Sequence, residues 1–239
     1  QFPVDRAALQ RPELLAGRRP RTVNMVRIGD ALAGDADALS GGPPIEAVIV
    51  YNSNPVAVAP ESAKVAAGFA REDLFTVVLE QFQTDTADYA DYLLPATTQL
   101  EHWDIHTSYG HTDVLLNRPA VAPRGEARSN AWVFRELAKR MGFDDPCFRD
   151  DDEALCRQAF APGAIDWAAL ETQGFASVPL PEAPYAMGGF PTPSGRVEFF
   201  SERLAAQGLD GLLDHLPNHE PAGSSSAYPL AMISPPARN

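Results

Sequence analysis

Lysine is nearly missing from this 239-residue chain, with Lys64 and Lys139 its only two. Lys+Arg 19 against Asp+Glu 32 gives a net charge of -13 at pH 7. Binding to duplex nucleic acid depends on neutralising phosphates with basic side chains, so that class of function is excluded. Cysteine is equally scarce. Cys147 and Cys156 cannot build a disulfide scaffold or a four-thiolate iron–sulfur site. They read as ordinary thiols, with a local disulfide as the alternative. No apolar run approaches the roughly 20 residues that span a bilayer; even Ala47 to Pro60 is broken by Asn52 and Asn54. No membrane insertion is expected. The chain opens on Gln1 without the apolar core of a secretion signal, and this start reads as an internal cut. The expected compartment is the cytoplasm, with the periplasm as the alternative. Three motifs are also missing. There is no G-x-G-x-x-G, no G-x-x-x-x-G-K-[ST] and no G-x-S-x-G, so an ordinary dinucleotide fingerprint, a phosphate-binding loop and a serine-hydrolase elbow are all lacking.

What is present is globular text, 45% hydrophobic and 21% charged. Residues 1 to 44 read as a loop, a short helix over Val23 to Leu32, and a loop. Ile45 to Tyr51 is a near-continuous β-branched run, the pattern of a strand buried on both faces. A helix over Ala63 to Ala70 follows Pro60-Glu61-Ser62, and Leu74 to Leu79 forms a second strand with Glu80 at its carboxyl end. Strand, helix and strand in this order make a parallel crossover unit. The fold class expected is therefore α/β, an open, mostly parallel sheet with flanking helices. Ala87 to Tyr92 suits a short helix, and Leu93-Leu94-Pro95 fits a third strand. Trp132, Val133, Phe134, Leu137, Ala138 and Met141 follow helical spacing, with Gly142 placed to end that helix over one sheet face. Beyond Asp144 the text becomes acidic and then proline-rich. Tyr228 to Ile233 begins a new strand near the end of the sequence.

The polar residues that stand out cluster after the two strands, and open parallel sheets bind ligands at strand carboxyl ends. Asn52-Ser53-Asn54-Pro55 can turn backbone groups toward a ligand, or can simply cap the next helix. Glu80, followed by Thr84 and Thr86, offers a carboxylate that accepts two hydrogen bonds at once. That suits a guanine edge, with its ring N–H beside an exocyclic amine, or a ribose diol. The plain alternative is a solvated Glu80 with Thr84 as a cap. His102, His106 and His111 lie close in sequence, but Gly110 makes a continuous helix doubtful and a fourth ligand is lacking, so a polar loop is expected there and not a zinc site. Arg18, Arg19 and Arg21 are solvated, touch a neighbouring domain, or bind an anion.

Taken in order, Tyr51-Asn52-Ser53-Asn54-Pro55, Phe75 to Ala87, Ala90 to Ala96 with Glu101, and Pro123 to Asn130 form a series. It closely resembles the molybdopterin-dependent oxidoreductases of the dimethyl sulfoxide reductase type, over about residues 23 to 142. Thr192 to Phe199 resembles the segment that leads to the cofactor-binding β-barrel of that family, and Tyr228-Pro229-Leu230 resembles its opening strand.

The resemblance implies three parts: residues 1–143 as part of the α/β domain, 144–226 as a connecting segment with short helices, and 227–239 as the truncated start of the barrel. It implies that the Asn52 to Pro55 turn and Glu80 hold the guanosine of a molybdopterin guanine dinucleotide. Thr84, Gln81, Pro95 and Asn130 complete the expected set. Many family members have Asp where Asn130 stands and Gly-Thr-x-x-Asn where this sequence has Asp104 to His111, a loop that the resemblance implies lines the way to the metal. The cofactor implied is bis-molybdopterin guanine dinucleotide with Mo or W, and any 4Fe–4S cluster belongs to an upstream region. The metal ligand also lies upstream, so no catalytic or metal-ligating residue is assigned here and these 239 residues alone are expected to be inactive. The implied partners are the remaining domains of a parent enzyme and an electron-transfer subunit. The alternative is a non-molybdenum subunit of a respiratory complex with the same fold.

Overall fold

The structure is a computed structural model. It describes residues 10–178, 183–212, 214–215, 223, 227 and 229–231. By its contacts the chain divides into two units, residues 1–179 and 180–239.

The first unit is built on the expected crossover. Helix α1 (Ile28–Leu32) precedes β1 (Ala47–Tyr51), the short α2 (Pro55–Val58), α3 (Ser62–Phe69), β2 (Phe75–Glu80) and β3 (Tyr92–Pro95). The three strands form a parallel sheet with β2 in the middle. Val50 and Val78 pair across β1 and β2, and Glu80 pairs with Pro95 across β2 and β3. One face of this sheet packs on α1 and α3 through Leu32, Val50, Val65, Phe69 and Val78. Each such side chain contributes roughly 1.5–3 kcal/mol by leaving water. Helices α1 and α3 approach closely because Gly68 lacks a side chain. A Cβ there would stand 2.6 Å from Leu32 Cβ. Arg71 fastens the same layer by donating to the carbonyls of Leu32 and Ile45 while it pairs with Asp73 at 2.7 Å.

Two expectations need correction here. β1 is not buried on both faces: Val50 is 5% exposed, but Ile49 and Tyr51 are 47% and 50% exposed. It is an edge strand covered by helices on one side, so alternate residues see different surroundings. Helix α4 (Asn130–Arg140) forms as its periodicity predicts, capped by Ser129 and followed by Gly142 at φ +77. It does not cover a sheet face. Only Ala138 of this helix is buried, and it meets the sheet where Phe134 lies edge-on to Tyr51 with ring centroids 5.3 Å apart.

A second, antiparallel sheet was not anticipated. β4 (Asp104–His106), β5 (Asp113–Asn117) and β6 (Phe175–Ser177) pair in that order, so the histidine-bearing segment is partly strand where a polar loop was expected. Val114, Phe160 and Val178 form its core, with Ile105 packed against them. Helix α5 (Asp152–Gln158), capped by Asp151, packs against β4, and α6 (Trp167–Gln173), capped by Asp166, leads into β6. The acidic run at 150–153 is therefore a helix start, where carboxylates favour the exposed N–H groups. Residues 144–178 lie within the first compact unit.

The described part of the second unit holds α7 (Glu202–Ala206), a bridge between Phe200 and Leu212, and a turn in which the Ser194 N–H donates to Glu198 at 2.9 Å. Of the strand expected from Tyr228 to Ile233, residues 228, 232 and 233 lie outside the described residues and Pro229, Leu230 and Ala231 are not in a strand. Among the described residues no helix is long and apolar enough to cross a membrane.

Candidate functional site

The carboxyl ends of β1 and β2, and the segment after β3, open on a cleft of about 530 Å³. One side is formed by Asn52, Glu80, Gln81 and Thr97, together with Asn130 at the start of α4. The other side is formed by Asp104 and His106 on β4 and by Asp152, Leu155 and Cys156 on α5. Asn52 sits at φ +53, a conformation that asparagine tolerates better than most residues. It turns the chain at the end of β1, and its Oδ1 accepts a hydrogen bond from Asn130 Nδ2 at 2.9 Å. Asn130 Oδ1 is left buried with no partner. His106 Nε2 is in the same condition.

These are two of the four unpartnered buried side-chain polar atoms among the described residues, and both belong to residues of this cleft. Leaving such an atom unpaired costs roughly 1–3 kcal/mol, and both atoms are placed where a group bound in the cleft would reach them. Glu80 Oε1 accepts from the Gln81 N–H at 2.7 Å, and its other oxygen has no hydrogen-bond partner among the described residues. The cleft is lined by the carboxyl groups of Glu80, Asp104 and Asp152 and by no Lys or Arg. Asp152 is neutralised by Arg135 at 2.7 Å, outside the lining. A surface of this kind repels phosphate and accepts hydrogen bonds from N–H and O–H groups.

Of the residues singled out in the sequence, Asn52, Glu80, Gln81 and Asn130 come together in the lining, and Gln81 Nε2 donates to the Thr97 carbonyl at 2.8 Å. Ser53, Asn54, Pro55, Thr84 and Pro95 are not among the lining residues. Asn54 is engaged below the cleft: its Oδ1 accepts from the Thr86 N–H at 3.1 Å and the Thr86 hydroxyl at 2.7 Å, and its Nδ2 donates to Asp85. Thr86 is fully buried and accepts from the Val56 N–H in turn. Thr84 Oγ1 accepts from the Ala87 N–H at 3.4 Å, the plain capping role. Pro55 opens α2, Ser53 is exposed, and the Pro95 carbonyl accepts from the Arg128 N–H at 3.1 Å, tying β3 to the segment before α4.

The sequence reading gave no site role to Asp152 or Cys156, and took Asp104 to His111 only as a loop lining the way to the metal. The available signal was Asp104-Ile105-His106 and Asp113 to Asn117 flanking a turn that contains Gly110, the pattern of a hairpin. The Cys156 thiol is pushed up to about 12 by burial, with Asp104, Asp152 and Glu153 adding to the effect, so it stays protonated in the cleft wall. Both cysteines are free. The three histidines of this stretch separate: His102 Nδ1 pairs with Thr97 Oγ1 at 2.9 Å, and His111 Nδ1 accepts from the Asp113 N–H at 3.1 Å. Arg18 and Arg21 donate to nearby backbone carbonyls. Glu101 accepts from the Thr98 N–H, the Thr98 hydroxyl and the Arg124 N–H, which together hold its carboxyl below the usual range.

A parallel sheet with a cleft at its strand carboxyl ends is the arrangement in which open α/β domains bind ligands. Comparison with known proteins narrows the class, for the family model "Molybdopterin oxidoreductase" matches residues 30–140. The chain belongs to the molybdopterin oxidoreductase family. It is 41% identical over 238 residues to the "Probable oxidoreductase YoaE" of Bacillus subtilis (strain 168), covering 97% of this chain and 33% of the relative. It is 30% identical over 194 residues to the dimethyl sulfoxide/trimethylamine N-oxide reductase of Cereibacter sphaeroides, covering 69% of this chain and 24% of that protein. The solved structure of acetylene hydratase from Pelobacter acetylenicus superposes with a TM-score of 0.69 at 26% identity, over 84% of this chain and 27% of the other. The chain thus spans a third or less of the length of each of these relatives.

Proposed function

We propose that this chain holds the guanosine end of a molybdopterin guanine dinucleotide, and that the full-length protein uses that cofactor as a two-electron oxidoreductase. The observation that carries the reading is the buried, unpartnered Asn130 Oδ1 beside the open oxygen of Glu80, in a cleft without Lys or Arg. Guanine presents a ring N–H next to an exocyclic amine, two donors that these two acceptors suit. Its carbonyl oxygen suits the Asn52 side-chain amine, whose own oxygen is already bonded to Asn130. Cytosine and adenine do not offer two adjacent donors, so the same groups favour guanine. The acidic lining repels a diphosphate, so this reading puts only the nucleoside in the cleft.

When bound, the cofactor supplies a Mo or W centre competent for two-electron chemistry. The contribution of this chain is to hold and aim it. Glu80 and Asn130 fix the nucleoside, the Asn52–Asn130 hydrogen bond ties Asn130 to the end of β1, and residues of both sheets and of α5 line its sides. The other domains of the full-length protein supply the metal ligand, and electrons leave or enter through a separate subunit or soluble partner. Relatives named as reductases support this reading over a subunit that lacks molybdenum.

The test is Glu80→Ala, alone and combined with Asn130→Ala, in full-length protein purified from a host that makes the cofactor. Loss of a hydrogen bond to a charged group costs roughly 1.5–3 kcal/mol, so guanine and molybdenum retained per chain should fall by at least tenfold under dilution. Content equal to the wild type in both variants would overturn the assignment.

A further inference from the structure

We infer that His106 is a third contact to the nucleoside, made from the second sheet, with its imidazole donating to a ring nitrogen or a ribose oxygen. The inference rests on reading the cleft as a guanosine site. β4 is an edge strand whose side chains alternate between faces. Ile105 packs against the Val114 and Phe160 core, and Asp104, Ile105 and His106 all contribute to the cleft lining, so β4 as a whole forms one edge of it. His106 Nε2 is buried and has no partner, unlike His102 and His111, whose Nδ1 atoms are engaged by Thr97 and Asp113.

A histidine kept for packing alone pairs its buried nitrogen, because an unpaired one destabilises the fold. A metal ligand needs companions, and among the described residues no group of three or more His, Cys, Asp or Glu is placed to hold an ion. The chemistry of the surroundings decides what His106 meets. Glu80 and Asn130 take the donor edge of the base, which leaves acceptors on the rest of the nucleoside, and a neutral imidazole with its proton on Nε2 answers them. The ligand is thereby gripped from both sheets at once. None of the other nucleoside contacts comes from β4.

The experiment uses full-length protein from a cofactor-making host, as His106→Leu, His106→Gln and Glu80→Ala variants. Two quantities are read: the rate at which guanine is lost on dialysis, and the thermal unfolding midpoint of the cofactor-free form. His106→Leu should lose guanine about three- to tenfold faster, with an unfolding midpoint equal to the wild type or higher, since a buried unpaired nitrogen has been removed. His106→Gln, which keeps a donor, should lie between the two. If Glu80→Ala sheds guanine and His106→Leu retains it, the contact is refuted and the guanosine reading stands. If neither variant sheds guanine, both fall. A lower unfolding midpoint in cofactor-free His106→Leu would make the residue structural and would also overturn the inference.

Discussion

Asn54→Ala separates two roles that look alike in sequence. Asn54 stands in the turn after β1, two positions from Asn52, yet its carbonyl oxygen serves both donors of the fully buried Thr86 at 3.1 and 2.7 Å. Alanine removes that acceptor and leaves a buried N–H and a buried hydroxyl to find new partners. The hydroxyl keeps the Val56 N–H that it accepts, but loses the acceptor for its own proton. At roughly 1–3 kcal/mol for each unsatisfied group, with partial relaxation, the loss should be about 2–4 kcal/mol. Urea unfolding followed by circular dichroism gives this as a lower midpoint at an unchanged slope. Asn54→Asp keeps the acceptor but sets a second carboxylate where Nδ2 now donates to Asp85 at 3.1 Å, so it should lose less, about 1 kcal/mol. Guanine retained per folded molecule should not change in either variant. The reasoning is refuted if Asn54→Ala unfolds within about 0.5 kcal/mol of the wild type, the range of an inconsequential surface change.

Gly68→Ala gains helix propensity but drives a methyl to 2.6 Å from Leu32 Cβ; thermal unfolding should show a net loss of about 1–3 kcal/mol, the usual cost of overpacking. Glu101 is held below its ordinary value of 4.5 by its three donors. With the folded value lower than the unfolded one, its contribution is present above pH 4.5 and disappears as pH falls through the folded value. The stability gap between wild type and Glu101→Gln should therefore close in acid, as a pair of denaturation series from pH 3 to 7 would check. The Cys156 thiol, raised from 9.0 to about 12, keeps its proton in the folded chain while the unfolded chain loses it. Stability should thus decline above pH 9, by at most about 1.4 kcal/mol per pH unit, and iodoacetamide at pH 8 should alkylate Cys147 well before Cys156.

The parallel sheet was legible because its signals are local. Ile45 to Tyr51 and Leu74 to Glu80 are short, largely apolar runs rich in β-branched residues, and two such strands joined by a short helix favour the right-handed parallel crossover. Helix α4 was legible from its 3.6-residue spacing and from the glycine that ends it. The second sheet was not, since β4 and β6 are three-residue strands and β5 finds Ala176 opposite Val114, a pairing that no short window contains. The site was read at the resolution of strand ends but not of atoms. Asn52 and Asn54 carry the same amide in the same turn, and only the fold shows that one faces the cleft while the other braces Thr86. His106 was passed over because its value lies in a missing partner, and sequence records residues without recording what they fail to touch.

The hydrogen bond from Asn130 to Asn52 joins positions 78 apart in the chain. Closing so long a loop comes late in folding, after the local strand and helix contacts that offset its entropy. In a partly folded chain β1 and Glu80 can form before the cleft does, because Asn130 reaches Asn52 only when α4 docks. On the guanosine reading proposed above, a chain whose first unit is unfinished would lack the Asn130 acceptor and hold the nucleoside poorly.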